Sequence, residues 1–237
     1  MSRFGAVGEI LLLFLTFFLP GYIGQAWSVP TGSATNIMML QTIISGVPQF
    51  LLMAYVAGAF GSAAGARWGF VRLDARDVLR ILLLVAACFA VITPFIALVL
   101  LLPPEWSRAL GSGFRWGLRS YSQLPLALLF GLTAGYREEF FFRAYLLMRL
   151  DEMELPVPYA IAASTALFCV GHVYEGVMGV LVAAGLGVLF ARVYIRGKNL
   201  HVIAVAHGLY NTTVLLLGLL LPRGLPQAFL MHILSNI

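Results

Sequence analysis

The chain alternates long apolar runs with short polar breaks, and the runs are too long to be strands or helices of a soluble core. Apolar stretches cover about 9–27, 37–60, 80–102, 122–149, 158–174, a continuation to about 195, and 201–221. A helix rises 1.5 Å per residue, so about 20 such residues cross a bilayer. The pattern predicts an all-α polytopic membrane helix bundle with seven transmembrane helices, or eight if the segment after Pro222 and Pro226 forms another. The breaks carry the expected punctuation: Pro30 and Gly32, the pair Pro103 and Pro104, and Pro156 with Pro158. Pro48 predicts a kink in the second run, and the small residues Gly131 to Gly135 predict close approach of a neighbouring backbone.

Composition narrows the class. Of 237 residues 61% are hydrophobic and 11% charged, which excludes an ordinary soluble domain and fits a single integral-membrane domain over 1–237. The net charge of +5 does not signal nucleic acid, because the basic residues are scattered between apolar runs. They obey membrane topology instead. With the N-terminus in the cytoplasm, Arg3, Arg67, Arg72, Arg76, Arg80, Arg149, Arg192, Arg196 and Lys198 fall inside, and Arg108, Arg115, Arg119 and Arg223 outside. The expected location is a cell membrane, spanned several times, and the Ala, Leu, Arg and Gly usage points to a bacterial inner membrane. The first run reads as a retained helix, since its apolar part is long for a signal peptide. Cys88 and Cys169 each lie in apolar surroundings, which predicts buried thiols without a disulfide.

One run breaks the apolar rule. Tyr136 to Arg143 reads Y-R-E-E-F-F-F-R and places four ionisable side chains near the middle of a crossing helix. Each costs roughly 2.5–3.5 kcal/mol at mid-bilayer, so four facing lipid would cost on the order of 10 kcal/mol. They must face protein or a wet cavity. Glu139 and Arg143, at i and i+4, form a salt bridge in the favourable orientation. Glu138 points to another face and requires a partner from another helix. A buried ion-pair network with only a packing role is the bland alternative, but intramembrane acids are functional by default. Two further polar insertions follow, F-x-x-x-H at Phe168 and His172 and H-x-x-x-N at His207 and Asn211. His201 and His232 are set aside, the first rotated away from His207 and the second in the tail.

These three motifs, in this order on late membrane helices, resemble the CAAX-protease and bacteriocin-processing (CPBP, or Abi) family of intramembrane endopeptidases. The resemblance covers about 122–221. Glu138 and Glu139 match the family's paired acids, Arg143 its arginine, Phe168 and His172 its second motif, and His207 and Asn211 its last. The one departure is Ala144, where a glycine is common. The resemblance implies peptide-bond hydrolysis in a membrane-associated protein or peptide. Glu138 assisted by His172 would activate water, His207 and Asn211 would hold the oxyanion, and Glu139, Arg143 and Phe168 would support and orient them. No cofactor is required by this scheme. The rival scheme is a zinc site with Glu138, His172 and His207 as ligands; no H-E-x-x-H is present to favour it. Substrates within the family include prenylated tails, bacteriocin or pheromone leaders, and sorting segments of surface proteins.

Outside this class, an ion- or proton-coupled transporter would also use buried acids and histidines, and a non-catalytic scaffold would need none of them intact. The few polar residues elsewhere in the spans speak against a transport path. Depth poses a separate demand. On straight helices His172 would lie near the far end of its span while His207 would lie near the beginning of its own, so they could not meet Glu138. The break from Tyr174 to Gly179 is therefore expected to be sunk in the protein, with Glu175 lining a cavity.

Overall fold

A computed structural model describes residues 3–27, 34–60, 64–103, 106 and 117–220. Those residues form helices and turns, with no strand among them. In chain order the α-helices are α1 (Arg3–Phe17), α2 (Leu19–Trp27), α3 (Ala34–Val56), α4 (Ala64–Arg67), α5 (Ala75–Leu101), α6 (Leu124–Glu139), α7 (Leu146–Glu152), α8 (Val157–Val170), α9 (Gly176–Gly197) and α10 (Leu200–Leu220). A π-helical segment, Phe140–Tyr145, joins α6 to α7 without a break. Five segments are long and apolar enough to cross a membrane: Gly5–Gly24, Thr35–Val56, Ala75–Leu98, Val173–Gly197 and Leu200–Leu220. The α6–π–α7 rod and the shorter α8 complete the bundle. The segment after Leu220, where an eighth crossing was expected, lies outside the described residues.

Local chemistry sets the element ends. Asp74 accepts from the backbone N–H groups of Arg76 and Asp77, so α5 begins five residues before the apolar run itself. Ser120 and Gln123 make a capping box ahead of α6, and Pro125 follows in its first turn. Lys198 closes α9 in the left-handed conformation, its N–H donating to Tyr194 O. Pro48 lies within α3 and Pro94 within α5.

Packing divides the molecule into an inner and an outer layer. The rod α6–π–α7 sits at the centre, with α10 and α3 packed along α6, and α9 held between α8 and α5. Gly131 and Gly135 face Gly208 and Ala204 of α10 so closely that a Cβ at either glycine would overlap a carbonyl oxygen opposite. The predicted close approach is thus made by α10. Leu12, Ile44, Tyr55, Leu79, Leu83 and other large apolar side chains of α1, α3 and α5 point outward and exposed, as lipid-facing surfaces do.

The two ends of the bundle differ in chemistry. Glu9, Arg67, Arg149 and Glu152 form an ion-pair cluster joining α1, α4 and α7, while Asp77 pairs with Arg80 and Asn199. Among the described residues the opposite end is joined by uncharged contacts, Gln123 to Asn36 and Leu118 N–H to Leu215 O. At the charged end the α9–α10 turn is sunk. Leu200 is fully buried, its N–H donates to Gly69 O at 2.8 Å, and Gly69 has a φ of +80° that favours glycine.

Candidate active site

The charged motif lies where the helix changes pitch. Glu139 ends α6 and Phe140 to Tyr145 form the wider π turn, a rare feature in which the backbone steps from i→i+4 to i→i+5 bonding and re-aims its side chains. All eight residues from Arg137 to Ala144 are buried. Four phenylalanines pack together beside the site: Phe141 and Phe142 lie on Phe18 at 4.8 and 5.1 Å between centroids, and Phe142 meets Phe168 at 5.2 Å. The four central charges therefore face protein, as their cost in hydrocarbon demands.

Glu139 and Arg143 are paired as expected, with Nε 3.2 Å from Oε2 and both side chains at 0% exposure. The guanidinium is not aligned for a hydrogen bond with that oxygen; it lies over the Phe168 ring, 4.3 Å from the centroid, with Phe142 and Phe190 at 5.7 and 5.8 Å. Glu139 does more than brace the helix. Its Oε1 accepts from His207 Nδ1 at 2.7 Å, across from α6 to α10. An ionised carboxylate only accepts, so Nδ1 bears a proton, and the ring turns Nε2 toward Glu138, 3.9 Å from Oε2. Phe190 stacks on the same ring at 5.2 Å.

Glu138 finds its nearest cation on its own helix and not on a neighbour. Arg137 Nη2 donates to Oε1 at 3.0 Å, while Nη1 reaches Gln49 of α3 at 3.3 Å and the guanidinium lies 5.2 Å over Phe18. The backbone directions of adjacent residues diverge, but the long arginine side chain curls back. Nothing in the sequence marks Gln49 or Phe18 as part of this group. Tyr22 of α2 is another unmarked neighbour: it lies in electrostatic range of Glu138, and its ring fills the space that a side chain at Gly171 would need.

His172 follows α8 directly, in the expected break. Helix α8 ends at Val170, a 3₁₀ turn covers Val173–Glu175, and α9 begins at Gly176 with φ at +80°. Fourteen residues of α8 span only about 21 Å, which brings His172 into electrostatic range of Glu138. Its Nδ1 is 3.1 Å from Glu175 Oε1, and its ring packs on Phe168 at 4.8 Å. The sunken α9–α10 turn supplies the other half of the depth match, because it starts α10 inside the bundle and carries His207 to the level of Glu139. Asn211 lies one turn beyond His207, half-buried, with no hydrogen bond to another side chain among the described residues. His201 is accounted for elsewhere, 2.8 Å from the Tyr136 hydroxyl. His232 falls outside the described residues.

As placed, Glu138, His172 and His207 do not form a metal shell: among the described residues no three His, Cys, Asp or Glu side chains are gathered closely enough to hold an ion. Both imidazole Nδ1 atoms are occupied by carboxylates, and only the Nε2 atoms remain available. Cys88 is buried and Cys169 partly so, both as free thiols.

The fold and site together define a multi-pass helical membrane protein with a buried acid–imidazole centre. Residues 120–213 match the sequence model of the family described as type II CAAX prenyl endopeptidase Rce1-like. Over this segment the chain is similar to that family, whose description names a CAAX prenyl endopeptidase, in keeping with the resemblance carried by the three motifs. The match runs from the cap of α6 to the last third of α10 and includes all three motifs. No curated protein and no solved structure matches the chain.

Proposed function

We propose that the protein is an endopeptidase that cleaves a membrane-associated protein or peptide with water activated by Glu138 and His172, while His207 and Asn211 stabilise the oxyanion. The observation that carries this reading is the approach of His207 Nε2 to within 3.9 Å of Glu138 Oε2, with the opposite nitrogen committed to Glu139. That gap is too long for a direct hydrogen bond and suits a bridging water or a reacting group. In the reaction, water loses a proton to Glu138 as its oxygen attacks the scissile carbonyl, and Glu138 returns the proton to the leaving amine. Arg137 holds Oε1, so Oε2 is the oxygen that works. His207 donates to the oxyanion from Nε2 as the imidazolium, with Glu139 balancing its charge. Asn211 donates from the same face of α10, its amide not spent on another side chain among the described residues.

We read the N-terminus as cytoplasmic; supporting this, the end that gathers Arg67, Arg149 and Arg80 is also the end of the bundle that holds Glu9 of α1. The substrate reaches the site from the membrane, as a prenylated tail, a leader or a sorting segment would.

Glu138→Gln in full-length protein, assayed against the membrane proteins that accumulate uncut in its absence, is expected to lower cleavage at least about a thousandfold. Thermal unfolding should stay close to that of the parent, since Gln keeps the volume and can accept from Arg137. Asn211→Ala is expected to cost on the order of 10² in kcat. Undiminished cleavage by Glu138→Gln would end the proposal, and stoichiometric zinc lost together with activity would replace its water-activating step.

A further inference from the structure

The break between α8 and α9 holds a carboxylate that the three motifs do not account for. A chain interruption inside a membrane protein leaves backbone groups without helical partners, so it persists only where something is gained. Here the sequence H-V-Y-E-G-V-M-G makes a single 3₁₀ turn from His172, and side chains three residues apart eclipse in that geometry. Glu175 is thereby brought over His172, with Oε1 3.1 Å from Nδ1. Two glycines make this possible. Gly176 adopts φ +80°, which turns the chain into α9, and a Cβ on Gly179 would overlap the Glu175 Cβ and come within 2.9 Å of its Oε2.

Glu175 occupies the N-cap position of α9, where an acid ordinarily accepts from the first free N–H groups of the helix. It makes no such bond. Its carboxylate is turned to the imidazole, and the helix N-terminus favours its negative charge in that place. The ring of His172 is fixed on its other side by Phe168. The result repeats the Glu139–His207 arrangement on a second histidine: carboxylate on Nδ1, Nε2 left over. Glu138 and Arg143 bear on His172 from the central rod, and Tyr174 lies beside Glu175.

We propose that Glu175 is the positioning residue of His172, holding it as the Nδ1–H tautomer so that the Nε2 lone pair accepts from the water that Glu138 deprotonates. The proposal rests on the hydrolytic reading above. Glu175 takes no proton from substrate or water; it acts through the imidazole, as carboxylate partners of functional histidines do.

The test uses full-length protein with ¹⁵N-labelled histidine in nanodiscs, comparing the parent with Glu175→Ala, Glu175→Gln and His172→Ala. In the parent the His172 nitrogen resonances should report the Nδ1–H form. In Glu175→Ala they should shift toward a mixture of tautomers, and kcat should fall about 10- to 100-fold with KM within about twofold. Glu175→Gln should recover much of both, because its amide oxygen still accepts from Nδ1–H. Unchanged His172 resonances and unchanged kcat in Glu175→Ala would overturn the proposal. Altered resonances in Glu175→Ala alongside full cleavage by His172→Ala would leave the positioning contact standing and retire the catalytic reading of His172 instead.

Discussion

Glu139–His207 and Glu175–His172 are the same chemical pair, a carboxylate oxygen against an imidazole Nδ1 at 2.7 and 3.1 Å, yet they are held in opposite ways. The first joins two long helices at the centre of the bundle, and its side chains are 0% and 5% exposed. The second closes on itself within one turn at a chain break, with 25% and 30% of the side chains exposed. In the first, Glu139 also balances the buried charge of Arg143, so orientation of the histidine and cohesion of the core depend on one residue. In the second, orientation is separate from cohesion. A site needs both kinds of support: a fixed wall against which the reacting groups are registered, and a local element whose geometry can be set without disturbing the fold.

The comparison can be broken at its strongest point first. Glu139→Ala leaves Arg143 buried without a counter-charge, and removing one partner of such a pair costs about 3–5 kcal/mol. The expected outcome is a large fall in the unfolding temperature of the purified protein together with loss of cleavage. A stable Glu139→Ala variant would show that the aromatic faces of Phe142, Phe168 and Phe190 suffice for the cation.

A smaller change separates distance from charge. Gly208 meets Gly131 so closely that an added Cβ would lie 2.9 Å from its backbone carbonyl. Gly208→Ala should push α10 from α6, lengthen the Glu139–His207 contact and cost about 1–3 kcal/mol. Cleavage should fall while the His172 tautomer stays as in the parent, a result that nitrogen resonances of the two histidines can separate. The smallest effect belongs to the exposed pair. Glu175→Ala should change unfolding stability by less than about 1 kcal/mol, as partly solvated ion pairs do, even as it lowers turnover. A loss as large as that of Glu139→Ala would erase the distinction between the two pairs.

Much of this site was legible in advance for a simple reason: charges in apolar helices are expensive, so Glu138, Glu139, Arg143, His172 and His207 stand out against their surroundings. The i,i+4 spacing of Glu139 and Arg143 gave their contact, because helix geometry is local. The break at His172 to Gly179 was visible as a cluster of polar residues and glycines. Less legible were the partners. Gln49, Phe18 and Tyr22 look like any residue of an apolar run, and nothing about Glu139 in isolation distinguishes a brace for Arg143 from an acceptor for His207. The π turn was invisible as well, since F-F-F-R-A-Y suits an ordinary helix; the widening belongs to the packed state, where Arg143 is surrounded by three aromatic rings.

Hydropathy along the chain therefore determined the all-helical membrane bundle and the set of residues that had to be hidden from lipid, because transfer free energy acts residue by residue; of the seven expected spans, five described segments are long and apolar enough to cross. Tertiary structure alone decided which acid serves which histidine. That depends on how deeply each helix sits: on α8 ending after fourteen residues and on Leu200 being drawn beneath Gly69. Relative depth is set by packing between distant segments, and no local pattern of residues encodes it.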